Sequence, residues 1–148
     1  MGQPDWVKNH VQRYRASSGA NGHFWDGLEG AAQLKGHFPT LLLTTTGRKS
    51  RQYRTTPLIY GRDGQNYIVI ASQGGRPKHP NWYLNIEANS KVELQVIADT
   101  FPAIAGTLIG PERERLWRMM VEIYPPYNDY QEKASATREI PLVVLEPD

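Results

Sequence analysis

At 148 residues the chain has the length of one domain with room for a sizeable core. Apolar residues make up 39% and charged residues 22%, an ordinary balance for a soluble globular protein, and there is no cysteine. The missing thiol excludes a disulfide framework, thiolate metal ligation, iron–sulfur clusters and a catalytic Cys, and it fits a reducing compartment.

The net charge of +2 is unevenly spread. Between Gly47 and His79 stand seven cations (Arg48, Lys49, Arg51, Arg54, Arg62, Arg76, Lys78) and one acid, Asp63, which leaves ten basic and fourteen acidic residues elsewhere. A basic segment in an otherwise acidic protein points to a local anion site, not to a nucleic-acid surface. Residues 1–4 lead into a polar helical pattern without an apolar secretory segment. The longest strongly apolar run, Thr40 to Leu43, falls far short of the ~20 residues that span a bilayer. The expected location is cytoplasmic, and nothing indicates membrane association.

Asp5 is placed to cap a helix in which Val7, Val11 and Tyr14 recur at helical spacing, ending near Ala16 before Ser17-Ser18-Gly19. It reads as a cover for the core. Residues 17–39 are glycine-rich (Gly22, Gly27, Gly30, Gly36) and read as a long loop, pinned by Phe24 and Trp25. The stretch Leu41 to Pro57 then sets the organisation. A β-type run from Thr40 stops at Thr46, Gly47 turns the chain, and a loop with Arg48, Lys49, Ser50, Arg51 and Arg54 leads into a second strand ending at Tyr60. Such a turn offers free N–H groups and cationic donors to an anion, as in phosphate sites. Pro57 argues for an edge position or a bulge.

Gly61 to Gly64 reads as a turn, and Asn66 to Ala71 as the third strand. Ser72 to Pro77 breaks the pattern, and Pro80 starts a short helix through Ala88. Lys91 to Ala98 and Phe101 to Ile109 read as strands joined at Asp99-Thr100. Pro111 opens a helix that Pro125-Pro126 closes. Tyr127 to Lys133 forms a short helix or turn, and Ile140 to Leu145 the last strand. Six strands with short hairpins and late helices indicate an α+β fold built on a single antiparallel barrel.

No hydrolytic machinery is legible. His10, His23, His37 and His79 lack metal-ligand spacing, so no metal is assigned. No Gly-x-Ser-x-Gly elbow exists and the carboxylates do not pair. There remain the cationic loop, the Ser72–Gly75 loop, Trp82 and Tyr83 on the following helix, and Tyr124, Tyr127 and Tyr130 at three-residue intervals. The last three are either packing aromatics or the wall of a pocket for a planar substrate. An anion cradle with aromatic walls and no side-chain machinery suits a bound redox cofactor that does the hard chemistry itself.

TTTGRKS (Thr44–Ser50), RTTPLIY (Arg54–Tyr60), ASQGG (Ala71–Gly75), HPNWYLN (His79–Asn85) and YPPYNDYQ (Tyr124–Gln131) together resemble the deazaflavin-dependent nitroreductase family. Its members are FMN-binding split-barrel-like enzymes, quinone reductases among them, that use reduced coenzyme F420. The resemblance covers roughly residues 38–147, with the motifs in the family's order and spacing. It implies a six-stranded split β-barrel over 38–148, with a helix and variable loop over 1–37 covering it.

Carried over position by position, the resemblance implies that Arg48, Lys49 and Ser50 hold the cofactor's phosphate and acidic tail. Arg54, Thr55, Thr56, Pro57, Leu58 and Ile59 run beside the deazaflavin. Ile70, Ala71, Ser72 and Gln73 approach its reactive face, and Asn81, Trp82, Tyr83, Leu84 and Asn85 close the phosphate side at a helix N-terminus. Ile59, Tyr124, Tyr127 and Tyr130 line the substrate side. Ile59 replaces a Tyr of the nitroimidazole-reducing members, and Gln73 replaces a Lys of some others.

The resulting expectation is a hydride transfer from reduced F420 to a quinone, an enone or a nitroaromatic. Ser72 or Tyr127 donates to the acceptor oxygen. The protein is a monomer or homodimer with a small-molecule partner and no nucleic acid. An FMN enzyme on the same barrel and a non-enzymatic anion-binding module are the competing readings.

Overall fold

The computed structural model describes residues 5–17, 24–25 and 38–148. Most of the expected loop over 17–39 falls outside the described residues, as do the side chains of Asp5, Trp6, Phe24 and Trp25.

Helix α1 (Asp5–Ala16) turns Val7, Val11 and Tyr14 onto Leu42 of the sheet. Tyr14 fixes the docking: its hydroxyl accepts from the Ile97 amide at 2.7 Å and lies 3.0 Å from the Thr40 carbonyl it donates to. Burial pushes the Tyr14 phenol up to about 12, so it remains a donor at any physiological pH.

The strands are β1 (Phe24–Trp25), β2 (Phe38–Thr46), β3 (Tyr53–Ile59), β4 (Gly61–Asp63), β5 (Asn66–Ile70), β6 (Lys91–Val96), β7 (Asp99–Leu108) and β8 (Leu142–Pro147). All pairings are antiparallel, in the order β1-β2-β6-β7-β8-β5-β4, with β3 on the other side of β2. The expected α+β class stands, but the sheet has eight strands, not six. One addition is the two-residue β1. The other arises because the run through Tyr60 changes partners: Tyr53–Ile59 pairs with β2 and Gly61–Asp63 pairs with β5. A single residue carries the chain from one margin of the sheet to the other, so the sheet is curled into a half-barrel.

Two further boundaries differ. Gly61–Asp63 is strand, and the turn falls at Gly64-Gln65 with Gly64 at φ +62°. The β6–β7 turn is Ile97-Ala98, not Asp99-Thr100, and places Ile97 at φ +57°; Asp99 pairs with Val96 as the first residue of β7. Helices α2 (Asn81–Ala88), α3 (Gly110–Ile123) and α4 (Pro126–Ala134) complete the chain. No helix among the described residues is long and apolar enough to cross a membrane.

Both faces of the sheet are covered. On one, Leu41, Leu43, Val69, Leu94, Val143 and Leu145 pack with Trp82, Tyr83 and Ile86 of α2. On the other, Ile68, Ile70 and Leu142 meet Leu116 and Met120 of α3 and Tyr127 of α4. This explains why NYIVIA reads as a continuous apolar run: alternate residues enter different cores.

Candidate functional site

The cationic loop is the β2–β3 connection. Gly47 donates its amide to Gln52 O at 2.7 Å and accepts from the Arg51 amide at 2.9 Å; Arg51 adopts φ +63°. The Ser50 hydroxyl accepts from the Gln52 amide at 3.1 Å. A Cβ on Gly47 would lie 2.6 Å from Ser50 Oγ and 3.0 Å from Gln52 O, so only glycine lets the loop fold back this tightly. The outcome is a stiff loop with Arg48, Lys49 and Arg51 on its exposed side.

Asn85 of α2 ties this loop to the rest of the site. Its Oδ1 accepts from the Arg48 amide at 3.1 Å and from Arg48 Nη1 at 3.0 Å, while its Nδ2 donates to Thr45 Oγ1 at 3.2 Å. Arg48 Nη2 also reaches Asn81 Oδ1 at 3.5 Å. The Arg48 guanidinium is thereby held over the first turn of α2, where unmet helix N–H groups add partial positive charge. Lys49, Arg51 and Arg54 form no ion pair among the described residues. Three exposed, uncompensated cations beside a fixed fourth suit a ligand bearing several negative charges.

Among the described residues β2 is the strand that β3 pairs with, which agrees with Pro57 at an edge. Its side chains divide between the faces. Thr55 Oγ1 receives Arg15 Nη2 of α1 and lies 2.8 Å from Thr44 Oγ1. Leu58 packs on the α2-side core, and Ile59 joins the cluster of Phe38, Tyr124 and Tyr127.

Beyond β5, Ala71 and Ser72 lead into a 3-10 turn, Gln73–Gly75. Gln73, Gly74 and Gly75 all have positive φ, at +46°, +65° and +78°. The Ser72 hydroxyl, half-buried, has no hydrogen-bond partner among the described residues. Helix α4 packs directly on this turn: a Cβ on Gly75 would sit 2.9 Å from both Cα and O of Tyr130. The two segments, more than fifty residues apart, are thus in backbone contact.

The tyrosines are more enclosed than a simple pocket wall. Tyr124 and Tyr127 are 1% and 4% exposed. Tyr124 meets Phe38 edge-on at 4.8 Å and Tyr127 at 5.0 Å, and shares a 2.9 Å hydroxyl contact with Tyr130. Burial raises the Tyr127 and Tyr130 phenols above their ordinary range, so both remain protonated. The Tyr127 hydroxyl has no hydrogen-bond partner among the described residues. Trp82 and Tyr83 are core residues, with the Tyr83 hydroxyl 2.9 Å from Thr107 Oγ1.

One residue escaped the sequence reading. Arg138 donates from Nε to Arg76 O, from Nη1 to Ala71 O and from Nη2 to Ser72 O, at 2.9, 2.9 and 2.7 Å. Its Nη1 also lies 3.0 Å from His79 Nδ1. No local pattern marks it, because the partners of its side chain are all more than fifty residues away. The structure therefore joins the β2–β3 loop, the start of α2, the Ser72 turn and α4 into one continuous set of contacts.

Comparison with known proteins bears on the family and the fold. A family model described as F420H(2)-dependent quinone reductase matches residues 6–147. The F420H(2)-dependent quinone reductase Rv1261c of Mycobacterium tuberculosis is 38% identical over 152 residues, covering 95% of each chain. The solved F420-H2 dependent reductase FDR-A is 44% identical, with a TM-score of 0.67, covering 73% of this chain and 94% of its own. A solved structure described as a domain-swapped dimer is 36% identical, with a TM-score of 0.70, covering 96% of this chain and 98% of its own.

Proposed function

The chain belongs to the F420H(2)-dependent quinone reductase family, and from that premise we propose how its residues serve the reaction. The protein is an F420-dependent reductase of a small-molecule acceptor, quinones being the family's class. When bound, reduced F420 supplies a hydride; the chain's own residues bind, orient and polarise.

Arg48, Lys49 and Ser50 hold the cofactor's phosphate and acidic tail, with Arg48 fixed by Asn81 and Asn85 at the start of α2. β3, from Arg54 through Ile59, runs beside the deazaflavin. Ile70, Ala71, Ser72 and Gln73 approach its face, and the first turn of α2, Asn81 to Asn85, closes the anionic end. Ile59, Tyr124, Tyr127 and Tyr130, which share one cluster, form the acceptor side. The Ser72 or the Tyr127 hydroxyl donates to the acceptor oxygen, since neither is committed to a partner among the described residues. Enones and nitroaromatics extend the acceptor range beyond quinones.

The observation that carries the cofactor assignment is the set of uncompensated cations beside Arg48. FMN brings one phosphate, whereas F420 adds an acidic tail able to engage Lys49 and Arg51 as well. Equilibrium titration with F420 and with FMN separates the two: F420 binds at micromolar Kd or tighter, about 8 kcal/mol, and FMN markedly more weakly. FMN retained through purification, with no F420 binding, would reject the cofactor assignment.

A further inference from the structure

We propose that Arg138 is a positioning residue, which holds the Ala71–Arg76 segment in its working conformation through a clamp that closes only on neutral His79. This rests on the reading that Ala71 to Gln73 lie against the cofactor.

The geometry has two parts. First, one guanidinium spans the segment from end to end, reaching Ala71 O and Ser72 O before the turn and Arg76 O after it. Between these anchors lie three consecutive residues at positive φ, and Gln73 is not a glycine. A left-handed non-glycine persists only where the surroundings hold it. The fork of donors on Arg is suited to this task, and a Lys ammonium, with a single point of attachment, is not. Arg138 is held in turn: Gln131 Nε2 donates to its carbonyl at 3.2 Å, and Gln131 Oε1 accepts from the Ile140 amide at 2.8 Å. The clamp therefore also sets the Ser72 turn relative to the tyrosine helix.

Second, a guanidinium has only donors. Its 3.0 Å contact with His79 Nδ1 requires Nδ1 to accept, so the imidazole is neutral with its proton on Nε2. The groups around His79 are Arg138, Tyr83 at 5.0 Å between ring centroids, Glu87 of the same helix, and Lys78, its neighbour in the chain. Burial and then Arg138 lower the His79 pKa, against a smaller opposing effect of Glu87. A histidine lowered on folding contributes most above its unfolded pKa, about 6.5. Its contribution is lost as pH falls from there through the folded value, and imidazolium then opposes guanidinium.

The test uses His79→Asn, whose Oδ1 can accept in place of Nδ1 but cannot titrate, and Arg138→Lys. F420 Kd is measured by fluorescence from pH 5 to 8, and amide hydrogen exchange over residues 71–78 is measured without cofactor. The wild type should lose affinity on the acid side relative to His79→Asn, by about tenfold at pH 5, the scale of one charged hydrogen bond. Ionisations of the cofactor are common to both and cancel in the ratio. Arg138→Lys should exchange about tenfold faster over 71–78 at pH 8 while the β6–β7 strands remain unchanged. Equal acid limbs in wild type and His79→Asn, or unchanged exchange in Arg138→Lys, would overturn the clamp. Failure of the wild type to bind F420 would instead reject the cofactor reading, and the exchange measurement would still judge the clamp. If Arg138→Lys does not fold, exchange in His79→Asn against wild type at pH 5 decides in its place, with slower exchange expected in the variant.

Discussion

Gly75→Ala probes the contact between the Ser72 turn and helix α4. Gly75 has φ +78°, where an L side chain costs about 1–2 kcal/mol. The added Cβ would also lie 2.9 Å from Tyr130 Cα and O, which are backbone atoms and cannot rotate away. Overpacking of this kind costs about 1–3 kcal/mol. Replacing glycine stiffens the unfolded chain and returns about 0.4–1 kcal/mol. The net loss is then about 1–5 kcal/mol, centred near 3, read from urea denaturation midpoints at unchanged slope. Gly64→Ala is the internal control: its φ is +62°, but nothing lies within 4 Å of the added Cβ. It should lose only about 1 kcal/mol. F420 affinity should fall in Gly75→Ala and remain in Gly64→Ala. If the two variants lose the same stability to within about 0.5 kcal/mol, the close approach of Tyr130 has no energetic weight and the reasoning fails.

Lys49→Ala should weaken F420 binding by about 1–3 kcal/mol at low salt, and by less at high salt, where the intact pair is already screened; an unchanged Kd at low salt would remove Lys49 from the site. Asn85→Ala removes the acceptor for Arg48 and the donor to Thr45 from a residue only 3% exposed, and should cost about 1–3 kcal/mol of stability as well as cofactor affinity. Tyr127→Phe deletes a buried hydroxyl without a partner among the described residues, so thermal stability should hold or rise by up to about 1 kcal/mol. If that hydroxyl serves the acceptor, turnover falls at unchanged F420 affinity; unchanged turnover would leave it a packing residue.

Much of the candidate site was legible because its segments carry local signatures. A glycine followed by a run of cations between two β-type runs marks the cationic loop, and Pro80 before Asn81 marks the start of α2. Burial of Trp82, Tyr83 and Tyr124 follows the ordinary fate of large aromatics. What the sequence hid is non-local. The change of partner at Tyr60 depends on how far the sheet curls, which no five-residue window encodes. The turn at Ile97 violates the preference of a β-branched residue, because pairing across β6 and β7 and the Tyr14 hydroxyl on its amide outweigh local propensity. Arg138 carries no local signature in the sequence. Only the fold brings Ala71, Ser72, Arg76 and His79 around it.

The most direct test of the central claim is turnover. The protein, purified from a host without F420, is supplied with reduced F420, and oxidation of the cofactor is followed spectroscopically with and without a quinone. Quinone-dependent oxidation that saturates in both reactants is expected, with little oxidation in air alone. Absence of turnover across a quinone panel, with reduced F420 demonstrably bound, would contradict the claim.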